Sequence, residues 1–124
     1  RPMVYVRKAA KEYGTQKLIE GGDVKGKRVI LIEDLVTTGE SCLKGVAALR
    51  ADGATVYDCF AIVSYGFQEK IVAFREANVR LHKLTTFPVI LSIALQMQKF
   101  GADEKVIIED WLHDPHGWAA RQGF

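Results

Sequence analysis

The stretch that decides the fold runs from position 29 to position 41: Val29-Ile30-Leu31-Ile32-Glu33-Asp34-Leu35-Val36-Thr37-Thr38-Gly39-Glu40-Ser41. Four apolar residues, two carboxylates and a loop of small residues predict a strand buried on both faces that ends in a polar turn. In an open α/β sheet, ligands bind beyond the carboxyl ends of the strands, where a loop leading into a helix offers backbone N–H groups to an anion. We therefore expect the chemistry of this protein at the end of this strand.

The segment Thr37–Ser41 has the composition of a phosphate-binding loop. Small residues let the backbone approach a phosphate, their hydroxyls add donors, and Gly39 accepts dihedral angles that other residues resist. It is not a Walker loop, because no Gly-Lys-Thr or Gly-Lys-Ser closes it and because Glu33 and Asp34 would repel a polyphosphate. Paired acids beside a monophosphate site favour a sugar phosphate, whose hydroxyl groups would donate hydrogen bonds to the carboxylates. Merely solvated acids at an ordinary turn are the alternative interpretation.

The order of these residues resembles the signature with which type I phosphoribosyltransferases bind 5-phosphoribosyl 1-diphosphate (PRPP). The apolar run, the two acids, two more apolar residues and Thr-Thr-Gly all match that pattern. Upstream, several residues resemble the segment that precedes this signature in orotate phosphoribosyltransferases. They are Tyr5-Val6-Arg7-Lys8, Lys11, Gly14 and Leu18-Ile19-Glu20-Gly21. The resemblance covers nearly the whole chain, and a complete enzyme of that family is longer at its amino end.

The resemblance implies a reaction, in which the phosphoribosyl group of PRPP passes to orotate and gives orotidine 5′-monophosphate and pyrophosphate in de novo pyrimidine (UMP) biosynthesis. It also implies a magnesium ion carried mainly by the donor's pyrophosphate, and a homodimer with shared active sites. Because bond breaking runs ahead of bond making, catalysis would consist of positioning and of stabilising opposite charges on ribose and leaving group.

The resemblance also assigns roles to individual residues. Asp34 and Glu33 would hold the ribose hydroxyls and stabilise the cation-like sugar, and Lys11 would neutralise the departing pyrophosphate. The segment Thr37–Ser41 would grip the 5-phosphate, with Glu40 contributing its backbone N–H. The full set expected to bind PRPP is Arg7, Lys8, Lys11, Tyr13, Glu33, Asp34, Leu35, Val36, Thr37, Thr38, Gly39, Glu40 and Ser41.

Residues 9–23 are expected to form a mobile catalytic loop, since they combine three glycines and several charges with little apolar periodicity. Closure of this loop over the donor would exclude water and bring Lys11 against the pyrophosphate. Members of the family commonly carry a histidine two residues after that lysine. This chain has Tyr13 there, which offers a hydroxyl donor in place of an imidazole.

The base-binding end departs from the family. Many orotate enzymes carry Asp-Arg at the end of the next strand, with the arginine reaching the orotate carboxylate, whereas this chain has Tyr65-Gly66. Orotate recognition is then expected from Thr37, Tyr65, backbone N–H groups or the amino-terminal segment. Two alternatives stay open: transfer to a purine or another base, and a non-catalytic ligand-sensing module of the same fold.

Positive charge is concentrated ahead of the phosphate loop. The net charge of +2 is too small to favour nucleic-acid binding, but seven basic and three acidic residues lie between Arg7 and Arg28. This local surplus favours a small polyanionic ligand. A strand over residues 3–6 is expected to carry Arg7 and Lys8 into the crevice of the acidic pair, with a solvated basic strand end as the alternative.

Length and composition predict one globular domain over residues 1–124, incomplete at its amino end, because the chain starts at Arg1-Pro2 without an initiator methionine. The two cysteines, Cys42 and Cys59, are too few for a disulfide framework and favour a reducing, cytoplasmic location. Neither a signal peptide nor an apolar run of about eighteen residues is present, which argues against secretion and membrane insertion.

Alternating elements predict an α/β fold with a doubly wound, mainly parallel sheet, of the type I phosphoribosyltransferase kind and truncated at the amino end. Strands are expected over 55–65 and 80–86, and helices from Ser41 towards Gly53, over 69–77, from Thr86 to Gly101 and from a cap at Asp103. No protein metal site is expected, because His113, Asp114 and His116 do not have the spacing of a zinc signature.

Overall fold

The computed structural model describes residues 2–7, 18–66, 69–115 and 117–123, and of residues 69–71 it describes the backbone only. The elements in chain order are β1 (Tyr5–Val6), β2 (Ile19–Glu20), β3 (Arg28–Val36), α1 (Glu40–Ala51), β4 (Thr55–Ser64), α2 (Glu69–Glu76), β5 (Arg80–Thr86), α3 (Phe87–Gln96), α4 (Ala102–His113) and α5 (Trp118–Arg121). Within these ranges, the structure contains no helix with the length and apolar character needed to cross a bilayer.

The main sheet has the strand order β3-β4-β5, and both pairings are parallel. The prediction of an α/β fold with a parallel sheet is thus confirmed, and β5 has the predicted bounds. The register pairs Val36 with Ser64, and Ser64 with Thr86. All three strands therefore end at the same level, so the residues that follow them meet along one edge of the sheet.

Helix α1 covers one face of this sheet and forms the core with it. Its buried residues are Cys42, Val46 and Leu49, and the strands contribute Leu31, Val56, Cys59 and Ala61. Gly45 brings the helix close to β3, because a Cβ atom there would lie 3.5 Å from the Leu31 side chain. Phe74 of α2 belongs to the same core. This packing fixes the helix whose amino end follows the phosphate loop.

The opposite face of the sheet exposes apolar side chains. In a strand, alternate residues project to opposite faces, so the neighbours of buried Leu31, Cys59 and Ala61 share the second face. Those neighbours are Ile30, Ile32, Phe60 and Ile62, all exposed, and Leu84 of β5 lies level with Ile62. Ile32 is 75% exposed and Leu84 80%.

Four sequence predictions need correction. β3 is not buried on both faces, because Ile30 and Ile32 are exposed. Residues 18–23 are not simply loop, because Ile19 and Glu20 form β2, which pairs antiparallel with β1, and Ile19 is buried. Helix α3 ends at Gln96 rather than at Gly101. Helix α4 is capped by Gly101, whose N–H donates to the Glu104 carboxylate at 2.8 Å, and not by Asp103. Residues 9–17, the rest of the predicted mobile loop, lie outside the described residues.

Candidate functional site

The predicted phosphate loop lies at the shared carboxyl edge of the sheet, between β3 and α1. Gly39 is the residue before the helix, and its carbonyl accepts the N–H of Leu43 at 2.9 Å. The first turn of α1 therefore points the amino end of the helix dipole at the loop, which favours an anion there. Thr37 and Ser41 are exposed beside it.

Gly39 is required at this point for two reasons. Its φ of +83° lies in the left-handed region, which residues with a Cβ atom adopt at a cost. A Cβ atom would also lie 2.5 Å from Cε2 of Phe74, which is buried. The loop is thus held tightly against the core by the absence of a side chain.

Glu40 would place a negative charge at an anion site, but its carboxylate is neutralised locally. The Lys44 Nζ lies 2.5 Å from Glu40 Oε1, one helical turn further on. This hydrogen bond, together with the charge of Lys44, holds the pKa of Glu40 below its usual value. The backbone of Glu40 remains at the helix start, consistent with the predicted role of its N–H group.

The two predicted catalytic carboxylates are not brought to one face. Glu33 lies level with Ala61 on the side that α1 covers and is half-buried. Asp34 follows it on the opposite side, where it is exposed and accepts the N–H of Leu35 at 2.7 Å. Of the two apolar residues that follow, Leu35 is partly exposed whereas Val36 belongs to the core. Asp34 is therefore the acid that a ligand in solution can reach directly.

Arg7 lies at the base of the β1–β2 hairpin instead of in the main sheet. Its guanidinium makes a two-point ion pair with Glu20, with distances of 2.7 and 3.0 Å, and its N–H donates to the Leu18 carbonyl at 2.8 Å. The hydrogen bond to Glu20 raises the pKa of Arg7. The expected role of Arg7 in the acidic crevice stays a prediction. Lys8, Lys11 and Tyr13 lie outside the described residues.

The residue after β4 belongs to an aromatic cluster that we define as Tyr65, Phe87 and Trp111. The Tyr65 N–H donates to the Val36 carbonyl at 3.1 Å, which places Tyr65 beside the start of the phosphate loop. Its ring lies 4.9 Å from the ring of Phe87 and 5.4 Å from that of Trp111, between centroids. Sequence reasoning assigned no site role to Phe87 or Trp111. The position of Phe87 directly after β5 is the only local signal that places it level with Tyr65.

Two thiols lie beneath the loop. The Sγ atoms of Cys42, in the first turn of α1, and Cys59, in β4, are 2.8 Å apart, and both side chains are buried. The contact with the Cys59 sulfur and burial both raise the pKa of the Cys42 thiol. Although Cys42 is near a helix amino end, it is therefore a core residue and not a nucleophile.

Of the two carboxylates, that of Asp34 is the more accessible to a magnesium ion carried in by a ligand, because Asp34 is exposed and Glu33 half-buried. Among the described residues, no three His, Cys, Asp or Glu side chains lie together as a metal-binding group, and Glu33 and Asp34 project apart. Magnesium commonly binds one or two carboxylates together with substrate phosphates and water. Asp34 is the residue that would supply such a carboxylate, and the ion would offset the negative charge of a pyrophosphate.

Comparison with known proteins shows the relationship of the chain. No family model matches it. It is 41% identical over 119 residues to the orotate phosphoribosyltransferase of Phocaeicola vulgatus, a match that covers 96% of this chain and 56% of that protein. The chain thus spans about half the length of the curated relatives it matches.

Solved structures agree with this match. The orotate phosphoribosyltransferase of Aeropyrum pernix superimposes with a TM-score of 0.65 and 31% identity, over 82% of this chain and 54% of that one. The Mycobacterium tuberculosis H37Rv enzyme in complex with PRPP gives a TM-score of 0.58 and 30% identity, over 68% of this chain and 47% of that one. The prediction of a type I phosphoribosyltransferase fold is confirmed.

Proposed function

Because the chain belongs to the orotate phosphoribosyltransferase family, of whose members it spans about half, we propose that the polypeptide it forms part of transfers the phosphoribosyl group of PRPP to orotate. The products would be orotidine 5′-monophosphate and pyrophosphate, as in UMP biosynthesis. The observation that carries the proposal is the left-handed Gly39 at the start of α1, packed on Phe74, which shapes the loop for an anion at the level where all three strands end.

The donor would bind with its 5-phosphate on the segment Thr37–Ser41 and its ribose hydroxyls on the carboxylates. Asp34 is exposed and can accept such hydrogen bonds without any change in β3, whereas Glu33 is half-buried. Charge stabilisation of the cation-like sugar would follow from the same contacts. We therefore expect replacement of Asp34 to reduce turnover more than replacement of Glu33.

The leaving pyrophosphate would be neutralised by Lys11, with Lys8, Arg7 and Tyr13 as further contacts. Support for this part is the pairing of β1 with β2, which brings together Arg7 and Leu18, the residues on either side of segment 8–17, with β1 beside α1. The pair between Arg7 and Glu20 suggests that Arg7 anchors the hairpin base. Arg7→Ala would then weaken PRPP binding by loosening that base.

Orotate would lie between Thr37 and Tyr65, which follow neighbouring strands at one level. Magnesium would enter with the donor. A homodimer with shared sites and a cytoplasmic location complete the proposal. The 124-residue chain alone is expected to be weakly active or inactive, because the rest of its relatives' length would contribute to the site.

The test is pyrophosphate release by the complete polypeptide from PRPP, with orotate, uracil, adenine and guanine offered in competition. Orotate is expected to be the preferred acceptor.

Lys11→Ala should lower kcat by about 10²-fold, since it removes a cation that faces charge developing in the transition state. Asp34→Ala should reduce turnover by at least about tenfold. The matched control for Lys11→Ala is Lys99→Ala, which changes an exposed lysine beyond α3 and should leave turnover unchanged.

Two results would replace the proposal. Preference for a purine would assign the protein to another member of the type I group. Binding of PRPP without any product would favour a ligand-sensing module of the same fold.

A further inference from the structure

We propose that Trp111 is a positioning residue for the base: with Phe87 it holds the ring of Tyr65 at the carboxyl edge of the sheet, so that Tyr65 presents an aromatic surface to the planar acceptor. This inference rests on the proposed function. It adds to that function a helix, α4, which no sequence motif connects with the site.

Tyr65 lies at the point where the chain leaves the sheet. It is half-buried, directly beyond β4, and is followed by Gly66 with a φ of +87°. Gly66 carries no side chain that could pack against the ring. Two aromatic residues, Phe87 of α3 and Trp111 of α4, contact the ring.

The two contacts restrain the ring in different directions. Phe87 lies against it at an interplanar angle of 33°, and Trp111 meets it edge-on at 68°. Offset and edge-to-face contacts at such distances are the favourable arrangements of aromatic pairs. Meanwhile the hydrogen bond from the Tyr65 N–H to Val36 fixes its backbone beside Thr37. Loss of Trp111 would leave Tyr65 in place in the chain but free to change its side-chain orientation.

The experiment measures steady-state kinetics of the complete polypeptide with PRPP and orotate. Trp111→Leu is expected to raise KM for orotate about threefold to tenfold, the range that an aromatic pair supports, and to leave KM for PRPP within about twofold. Trp111→Phe should restore most of the loss. Trp118→Leu, the matched control in α5, should change neither constant.

A double-mutant cycle separates positioning from simple packing. If Trp111 acts through Tyr65, then Tyr65→Leu combined with Trp111→Leu should bind orotate no worse than Tyr65→Leu alone. Additive effects, an equal rise in both KM values, or an unchanged KM for orotate in Trp111→Leu would overturn the inference. If Trp111→Leu does not fold, Phe87→Leu takes its place in both tests with the same expected results.

Failure of the inference and failure of the proposed function are distinguishable. A wild-type polypeptide that transfers phosphoribosyl groups to no base overturns both. An active wild type whose Trp111→Leu variant keeps its KM for orotate overturns the positioning role alone.

Discussion

The two faces of the β3-β4-β5 sheet carry similar side chains but differ in what covers them. On the face packed by α1, Leu49, Val56 and Cys59 are almost fully buried. On the other face, Ile32 and Leu84 remain largely exposed. Apolar residues on both faces are typical of parallel sheets covered on both sides. The comparison predicts that the stability of this chain depends mainly on one face, which is also the face that anchors the phosphate loop.

A matched pair of leucines tests this difference and has the largest expected effect. Leu49→Ala removes a side chain that is 1% exposed and should lower the free energy of unfolding by about 2–5 kcal/mol through the cavity it leaves. Leu84→Ala deletes the same atoms from a side chain that is 80% exposed and should change it by no more than about 0.5 kcal/mol. Urea unfolding of the 124-residue chain measures both. Equal losses would show that the second face is packed in solution.

A pair of glycines asks whether the covered face extends to the loop. Gly39→Ala places a residue with a Cβ atom in the left-handed region and sets that atom against the Phe74 ring. It should therefore lower the free energy of unfolding by more than the backbone strain alone, which is about 1–2 kcal/mol. Gly53→Ala has a similar φ of +87°, but its nearest neighbour is the flexible Lys25 side chain at 3.2 Å. Its cost should stay near the backbone value. Unfolding midpoints decide, and equal costs would mean that Phe74 does not confine the loop.

Much of this architecture was predictable because its signals are local. The apolar run of β3 and the small residues around Gly39 each specify backbone conformation within a few positions. The sequence also predicted Asp103 as the cap of α4, since aspartate is a common N-cap residue. In the structure the helix is capped at Gly101, whose N–H donates to the Glu104 carboxylate.

The remainder depends on contacts between distant segments. β2 exists because Ile19 and Glu20 have β1 as a partner, and no propensity over two residues reveals that. The contact of Trp111 with Tyr65 joins positions 46 residues apart in the sequence. The projection of Glu33 and Asp34 to opposite sides follows from strand alternation once β3 is known to extend to Val36. Local sequence patterns therefore predicted the strand end that carries the candidate site, but not the contacts that distant segments make there.

The smallest predicted effect concerns a polar cluster on the exposed face. Asp58 accepts hydrogen bonds from the Arg80 guanidinium at 2.9 and 3.0 Å and lies 2.8 Å from His82 Nε2, and the His82 ring stacks on Phe60. The hydrogen bonds from His82 and Arg80 lower the pKa of Asp58. Since the folded state then binds a proton less readily than the unfolded chain, the carboxylate stabilises the fold above the unfolded pKa of about 3.9. This contribution is lost as pH falls through the folded pKa.

Asp58→Asn tests this contribution through its pH dependence. The variant should unfold at a lower urea concentration than wild type at pH 7. The two midpoints should start to approach each other below the unfolded pKa of about 3.9 and converge only below the lowered folded-state pKa, where the wild-type carboxyl group is protonated in both states. Asp52→Asn, which changes an exposed carboxylate just beyond α1, should follow the wild-type midpoint at both pH values. A constant difference between Asp58→Asn and wild type would mean that Asp58 contributes by shape and not by charge. Convergence would instead show that this part of the exposed face is held by ion pairing, whereas the covered face is held by packing.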